Sequence, residues 1–288
     1  MLKCLTIFIV SLGVYSPFVN AASEIFPGDF DVLKPDTKVL SFYYYMRDLS
    51  GYYVNGNSSG GAKLSARAAV LSYSYYFSLG GYNSAVSIVE PYITAKRTAG
   101  ELPDGFGEKM SGLGDFYIIN KIWPIVTPDH SLAIANTFYF PTGEYNNNQG
   151  LNSGDNRWRD SVQAAWVQTL NPKLKLELIP EVMFYGTNKN YVGSKMTQDP
   201  TYSFTTYLRW TVLPMLEAQV GAQYNFGGEQ SFDGIKQDNQ PNNHRLMLGL
   251  SAAVSESTYV SLRYTKDFNI KSEMKIDSDY VLSVNYLF

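Results

Sequence analysis

Over most of its length this chain alternates apolar and polar side chains one by one, in runs of about ten residues, and that period of two limits its fold more than any other feature. In the terminal run, Tyr280, Leu282, Val284, Tyr286 and Phe288 fall on one face of a strand, and Val281, Ser283 and Asn285 fall on the other. One face suits hydrocarbon and the other does not. The same pattern predicts strands near 37–46, 65–77, 84–95, 113–123, 131–140 and 158–170, then 174–185, 201–212, 216–226, 244–254, 259–267 and 279–288, about twelve in all.

The connectors alternate in length. Short ones are expected at Ser78 to Tyr82, Pro124 to His130, Asn171 to Lys173, Leu213 to Met215 and Ser255 to Thr258. Long ones, rich in Gly, Asn, Asp and Ser, are expected at 47–64, 96–112, 141–157, 186–200, 227–243 and 268–278. Short turns on one side and long loops on the other are the outer-membrane pattern, and an even strand count returns both ends of the chain to the periplasm. Lipid offers no partner to a peptide group, so amphipathic strands in a membrane must close on themselves. The expected fold class is therefore all-β: a transmembrane, up-and-down antiparallel barrel of about twelve strands.

Composition agrees. Of 288 residues, 15% are aromatic, yet overall hydropathy is slightly negative, as alternating faces require. The first residues carry Lys3, an apolar run from Leu5 to Val14 and the small-residue pattern Val19-Asn20-Ala21, which read as a signal peptide over 1–21, cut after Ala21 within one residue. Its removal takes away Cys4, the only cysteine, and leaves 22 basic residues (23 less Lys3) against 26 acidic ones. No thiol chemistry and no nucleic-acid partner are expected of such a chain. The organisation expected is a leader at 1–21, a periplasmic segment at 22–36 and a single barrel domain at 37–288. Ile25, Phe26 and Phe30, just ahead of the first strand, make that segment (Ser23 to Asp36) a candidate plug entering the lumen from below.

Side-chain parity sorts the charges. In 201–212, Tyr202, Phe204, Leu208, Trp210 and Val212 face lipid, while Ser203, Thr205, Tyr207, Arg209 and Thr211 face inward. The inward sets of 216–226 and 259–267 are Glu217, Gln219, Gly221, Gln223 and Asn225, and Tyr259, Ser261, Arg263, Thr265 and Asp267. A charge facing mid-bilayer lipid costs about 2–4 kcal/mol, so a polar lumen carrying both signs is expected. The lumen candidates are Asp115, Arg159, Glu177, Glu181, Arg209, Glu217, Arg245 and Arg263, with Lys121 and Lys175 on the same side. They read either as a solute-sorting constriction or as a salt-bridged filling that stiffens the wall. In 84–95, Glu90 and Pro91 compete for the lumen, and Pro91 predicts a bulge.

Three stretches resemble a known family. Asp29 to Leu40 (DFDVLKPDTKVL), Gly112-Leu113-Gly114-Asp115 opening one strand and Phe140-Pro141-Thr142-Gly143-Glu144-Tyr145 closing another look like the outer-membrane family named for the meta pathway of phenol degradation. Trp158 sits where that family often has an aromatic, and Asp36 stands where it usually has glycine. The family-like motif residues are Gly112, Gly114, Asp115, Pro141, Thr142 and Gly143. The resemblance implies a barrel that passes small hydrophobic or aromatic compounds toward a catabolic pathway. The terminal aromatic, with apolar residues at alternate positions before it, also resembles the signal read by the barrel assembly machinery.

Catalysis finds little support. His130 precedes Ser131-Leu132 and His244 precedes Arg245-Leu246, so neither supplies the His-x-Ser face that outer-membrane phospholipases carry. Two distant histidines and no cysteine make no metal cluster, and no cofactor or metal is expected. The expected function is a channel for passive uptake of small solutes in the outer membrane of a Gram-negative bacterium, with membrane lipid, the assembly machinery and a small solute as partners and the oligomeric state open. The alternatives are an adhesive or structural barrel working through its surface loops and, further off, a hydrolase.

Overall fold

The computed structural model describes residues 23–58, 61–102 and 105–288, so the expected leader and Cys4 lie outside the described residues. Among those residues the strand segments are β1 (Lys38–Val54), β2 (Asn57–Ser58), β3 (Lys63–Leu79), β4 (Tyr82–Ala99), β5 (Lys109–Leu113), β6 (Tyr117–Val126), β7 (His130–Tyr139), β8 (Arg159–Asn171) and β9 (Leu174–Tyr185). They continue as β10 (Asn188–Tyr191), β11 (Ser194–Gln198), β12 (Thr201–Leu213), β13 (Leu216–Gly227), β14 (Gln230–Phe232), β15 (Ile235–Lys236), β16 (Asn242–Ala253), β17 (Thr258–Asn269) and β18 (Glu273–Leu287).

Each long strand pairs antiparallel with its neighbours in the meander, and β18 pairs β1 from Val39↔Leu287 to Tyr53↔Glu273, which closes the sheet. The short β2 only extends the first hairpin, and β5 and β6 both pair β4 as one interrupted stave, so the barrel has twelve staves. The opening pattern is realised at the seam. Tyr280, Leu282, Val284, Tyr286 and Phe288 lie on the outer surface, Val281 and Ser283 are buried inside, and Lys38 and Phe288 exchange backbone hydrogen bonds at 2.9 and 3.0 Å. The Phe288 amide is thereby paired across the seam.

Several boundaries move. The expected loop at 268–278 shrinks to residues 270–272, because β17 and β18 run on through polar residues. Likewise β1 continues to Val54, eight residues past its expected end, and carries Arg47 inward. Polar side chains end an apolar alternation in the sequence without ending a strand, since above the bilayer the outer face of the wall no longer meets hydrocarbon. The strict alternation of short and long connectors fails at 270–272 for the same reason.

The bulge expected at Pro91 is absent: β3 and β4 stay in register through Val70↔Pro91. The irregularity lies on the other neighbour. Opposite Pro91, which has no amide to donate, the stave breaks between Leu113 and Tyr117, and the Gly114 amide donates to the Pro91 carbonyl at 2.8 Å. Parity then sets Pro91 inward and Glu90 on the outer face beside the break.

Two connectors, 186–200 and 228–241, build a separate four-stranded sheet, β10-β11-β14-β15, around Tyr191, Met196 and Phe232. Asp36, where the resemblance implies glycine, has φ of 69°, where only glycine is free of strain and Asp is among the better-tolerated substitutes. Its amide donates to the Tyr76 carbonyl at 2.7 Å and its carboxylate accepts from the Tyr75 hydroxyl at 2.9 Å.

Candidate functional site

Residues 23–36 have no strand partners, so their peptide groups need others, and the inner wall supplies them. The Tyr207 hydroxyl donates to the Ile25 carbonyl at 2.8 Å, the Lys121 ammonium to the Asp29 carbonyl at 2.7 Å and the Trp123 indole N–H to the Phe30 carbonyl at 3.0 Å. In return the Gly28 amide donates to Glu177 at 3.0 Å and the Ser23 amide to both Glu181 oxygens at 3.2 and 3.1 Å. Ile25, Phe26 and Phe30 are buried against inward residues of several staves. Phe26 lies 5.0 Å from the Tyr43 ring, under the Arg263 guanidinium at 4.0 Å.

Most of the charged lumen residues fall into three groups. In the first, the Arg209 guanidinium binds Glu177 at 2.7 Å, Glu217 at 2.8 Å and, through two nitrogens, Asp31 at 3.0 and 2.9 Å. In the second, Glu24 bridges Arg47 and Arg263, each at 2.6 Å, and Arg47 also holds the fully buried Asp279 at 2.8 Å. The third lies toward the long loops. There Arg159 stacks on Tyr139 at 4.1 Å and approaches Asp155 at 3.5 Å and Asp115 at 3.8 Å, while Arg157 holds Asp155 at 2.8 Å. Arg245 pairs separately with Asp267 at 3.1 Å.

Two segment carboxyls are tuned by these contacts. Burial opposes ionisation of Asp31, but Arg209 and Lys175 outweigh it and hold the carboxyl below the usual range. Burial likewise opposes ionisation of Glu24, and Arg47 with Arg263 reverses that as well. Asp29 goes the other way: burial pushes it up more than Lys121 brings it down.

All eight sequence candidates lie on the inner side, and Asp115 occupies the break in the stave. Glu24, Asp31, Trp123 and Arg47 were not singled out from sequence. The first two precede the barrel and Arg47 fell in an expected loop, whereas Trp123 shares the parity of Lys121 and was legible as an inward residue. Asp279 was legible, since it shares the parity of Val281 and Ser283.

The family-like glycines and Asp115 meet at the break. Asp115 accepts from the Gly143 amide at 3.1 Å and the Asp155 amide at 3.0 Å, and the Thr142 hydroxyl accepts from the Phe116 amide at 3.0 Å. A Cβ on Gly143 would sit 2.6 Å from Gly154 Cα and 2.7 Å from the Gly114 carbonyl carbon, so this crossing admits no side chain. Outside it, Phe138, Phe140 and Trp158 pack ring against ring.

The polar lumen of both signs expected from parity is found over part of the inner wall only. Charge is concentrated on the staves from β6 to β17, whereas inward residues of β18, β1, β3 and β4 include Ile276, Leu49, Leu64, Ala66, Val70 and Ile93, an apolar wall that only the Arg47–Asp279 pair of β1 and β18 interrupts. Parity identifies which residues share a face, but where both faces are apolar it cannot say that the inner one is too. Between the wall and the segment lies a cavity of about 470 Å³, reached from the short-turn end past Leu213 and Leu287 and lined deeper in by Tyr43, Tyr45, Tyr76 and Tyr117.

No curated protein matches the sequence. The fold matches the COG4313 outer membrane channel from Pseudomonas putida F1 with a TM-score of 0.87, at 22% identity over 92% of this chain and 100% of that one. The β domain of the Bordetella autotransporter BrkA follows with a TM-score of 0.56, at 13% identity over 88% of this chain and all of that one. The KdgM porin in complex with disordered oligogalacturonate gives 0.51, at 9% identity over 87% of this chain and 99% of that one. At these identities the likeness is one of fold. The profile of the family described as "Putative MetA-pathway of phenol degradation" matches residues 50–281. A match that begins within β1 and ends within β18 takes in nearly the whole barrel, and the protein belongs to that outer-membrane β-barrel family.

Proposed function

We propose that this protein is an outer-membrane channel for passive uptake of small apolar solutes, aromatic compounds among them, exported by way of a removable leader and assembled by the barrel machinery. The observation that carries the reading is the divided lumen: an apolar wall runs down β3 and β4, flanked on β1 and β18 by apolar residues around the Arg47–Asp279 pair, to a cavity at the short-turn end whose lining includes Tyr43, Tyr45, Tyr76 and Tyr117. The volume lies within the roughly 300–1,000 Å³ of small-molecule sites, and a lining that mixes tyrosine rings and aliphatic side chains with serine hydroxyls and the charged Lys121, Arg209 and Glu217 suits an apolar ring bearing polar substituents. A polar solute would gain nothing from that wall, whereas an aromatic one buries its surface there at about 25 cal/mol per Å².

Residues 23–36 act in this reading as the plug, and the charged groups hold it in place rather than sort ions. The family's name and the likeness to the COG4313 outer membrane channel support the same reading.

Purified protein in liposomes, loaded with a reporter for entry of phenol or toluene, is expected to raise aromatic flux over protein-free vesicles while passing sugars poorly. Equal flux with and without folded protein would remove the channel reading and leave a structural barrel acting through its loops.

A further inference from the structure

Among the carboxylates buried in the lumen, Glu181 differs from the rest. Glu177 faces Arg209, Asp279 faces Arg47, Asp267 faces Arg245 and Asp155 faces Arg157. Glu181 is equally buried, yet no Lys, Arg or His among the described residues lies within ion-pair distance of it. Its donors are Ser161 Oγ at 2.5 Å, Ser203 Oγ at 2.9 Å, Gln163 Nε2 at 3.2 Å, and the backbone N and Oγ of Ser23 at 3.1 and 2.5 Å. Four side-chain hydroxyl and amide groups and one backbone N–H orient the carboxylate, but none supplies a positive charge, and a buried ionised carboxylate without a counter-ion is costly.

The one donor placed symmetrically on both carboxylate oxygens is the Ser23 nitrogen, at 3.2 and 3.1 Å. The leader read from the sequence ends after Ala21 within one residue, and a cut after Ala22, within that range, makes this nitrogen a free amine. An α-amine with its ordinary pKa of about 8 is mostly protonated at neutral pH.

We propose that the pocket of Glu181, Ser161, Gln163 and Ser203 is a primary-ammonium site whose ligand is the chain's own mature amino terminus. Export then completes the closed state: cleavage creates the cation that the barrel wall lacks, and the segment is fastened at its tip as well as through Glu24 and Asp31. The inference rests on the leader being removable and is independent of which solute passes.

The test uses the full-length protein purified from outer membranes, with folding of every variant verified by heat-modifiable gel migration. Intact mass is expected to place the first residue at Ser23; any other start overturns the proposal. With an aldehyde reagent selective for α-amines, wild-type protein is expected to be labelled roughly tenfold more slowly than Glu181→Gln, because a docked amine reacts only through local opening. A variant with Gly-Ser-Gly-Ser inserted between Ala22 and Ser23 moves the amine out of the pocket and is expected to label as fast as Glu181→Gln. Both changes are expected to raise the open fraction in planar bilayers, and the double variant to exceed neither. A correct start with wild-type labelling as fast as that of Glu181→Gln would refute the ammonium site while leaving the leader reading intact.

Discussion

Replacing Asp31 by Asn tests whether the segment at 23–36 is a latched plug. Its carboxylate takes two hydrogen bonds from the Arg209 guanidinium at 3.0 and 2.9 Å, and the change removes the charge while keeping the shape. Arg209 keeps Glu177 and Glu217, so no buried cation is orphaned and the barrel itself should hold. Hydrogen bonds to charged groups contribute about 1.5–3 kcal/mol, and the partial exposure of Asp31 places this pair near the lower end, at about 2 kcal/mol. That amount shifts the ratio of docked to undocked segment by a factor of about 30. The assay is single-channel recording in planar bilayers at neutral pH, comparing the fraction of time in the higher-conductance state. Asp48→Asn serves as control, because its contact with Arg67 at 3.4 Å lies at the surface, where such pairs contribute less than about 1 kcal/mol. If Asp31→Asn and Asp48→Asn opened equally often, the latch would be refuted, and the ion pairs would be read as filling that stiffens the wall.

Three further outcomes are expected. The Glu24 and Asp31 carboxyls lie below their ordinary range when docked, so the docked form binds fewer protons; their contribution is complete above the ordinary carboxylate range of about 4 and is lost as pH falls through the depressed values. Asp29, raised by burial, works in the opposite sense, so conductance should stay flat from neutral pH down to about 5 and rise only in stronger acid, and a rise centred near neutrality would contradict this. Trp123→Phe leaves the Phe30 carbonyl without its donor at a cost of about 1–3 kcal/mol, and amide exchange across residues 25–31 should quicken about tenfold or more while the strands stay protected. Gly143→Ala drives a methyl into the backbone of Gly154 and Gly114, with an expected loss of at least about 2 kcal/mol, seen as a lower urea midpoint for loss of the folded gel band; an unchanged midpoint would show that the crossing is loose.

How far the sequence reached depended on the kind of residue. Parity placed Arg209, Glu177, Arg263 and Arg245 inward, because a charge cannot face hydrocarbon and every second side chain must point the other way. It missed Arg47, since the end of apolar alternation was read as the end of a strand, and it missed the apolar inner wall, since alternation vanishes where both faces are apolar. At Pro91 the proline was legible, but the stave that would bear the disruption was not. A missing amide is felt by the neighbour that loses its partner, and pairing decides which neighbour that is.

What the sequence by itself determined is the closed antiparallel barrel and which side chains share a face, because both follow from the local period of two and the absence of hydrogen-bond partners in lipid. What only the tertiary structure decided is which of those side chains meet. Asp31 and Arg209 are 178 residues apart and Ser23 and Glu181 are 158 apart, and nothing local encodes such a contact. It exists because strand order and register bring those positions together around one enclosed space, and the segment preceding β1 lies inside it.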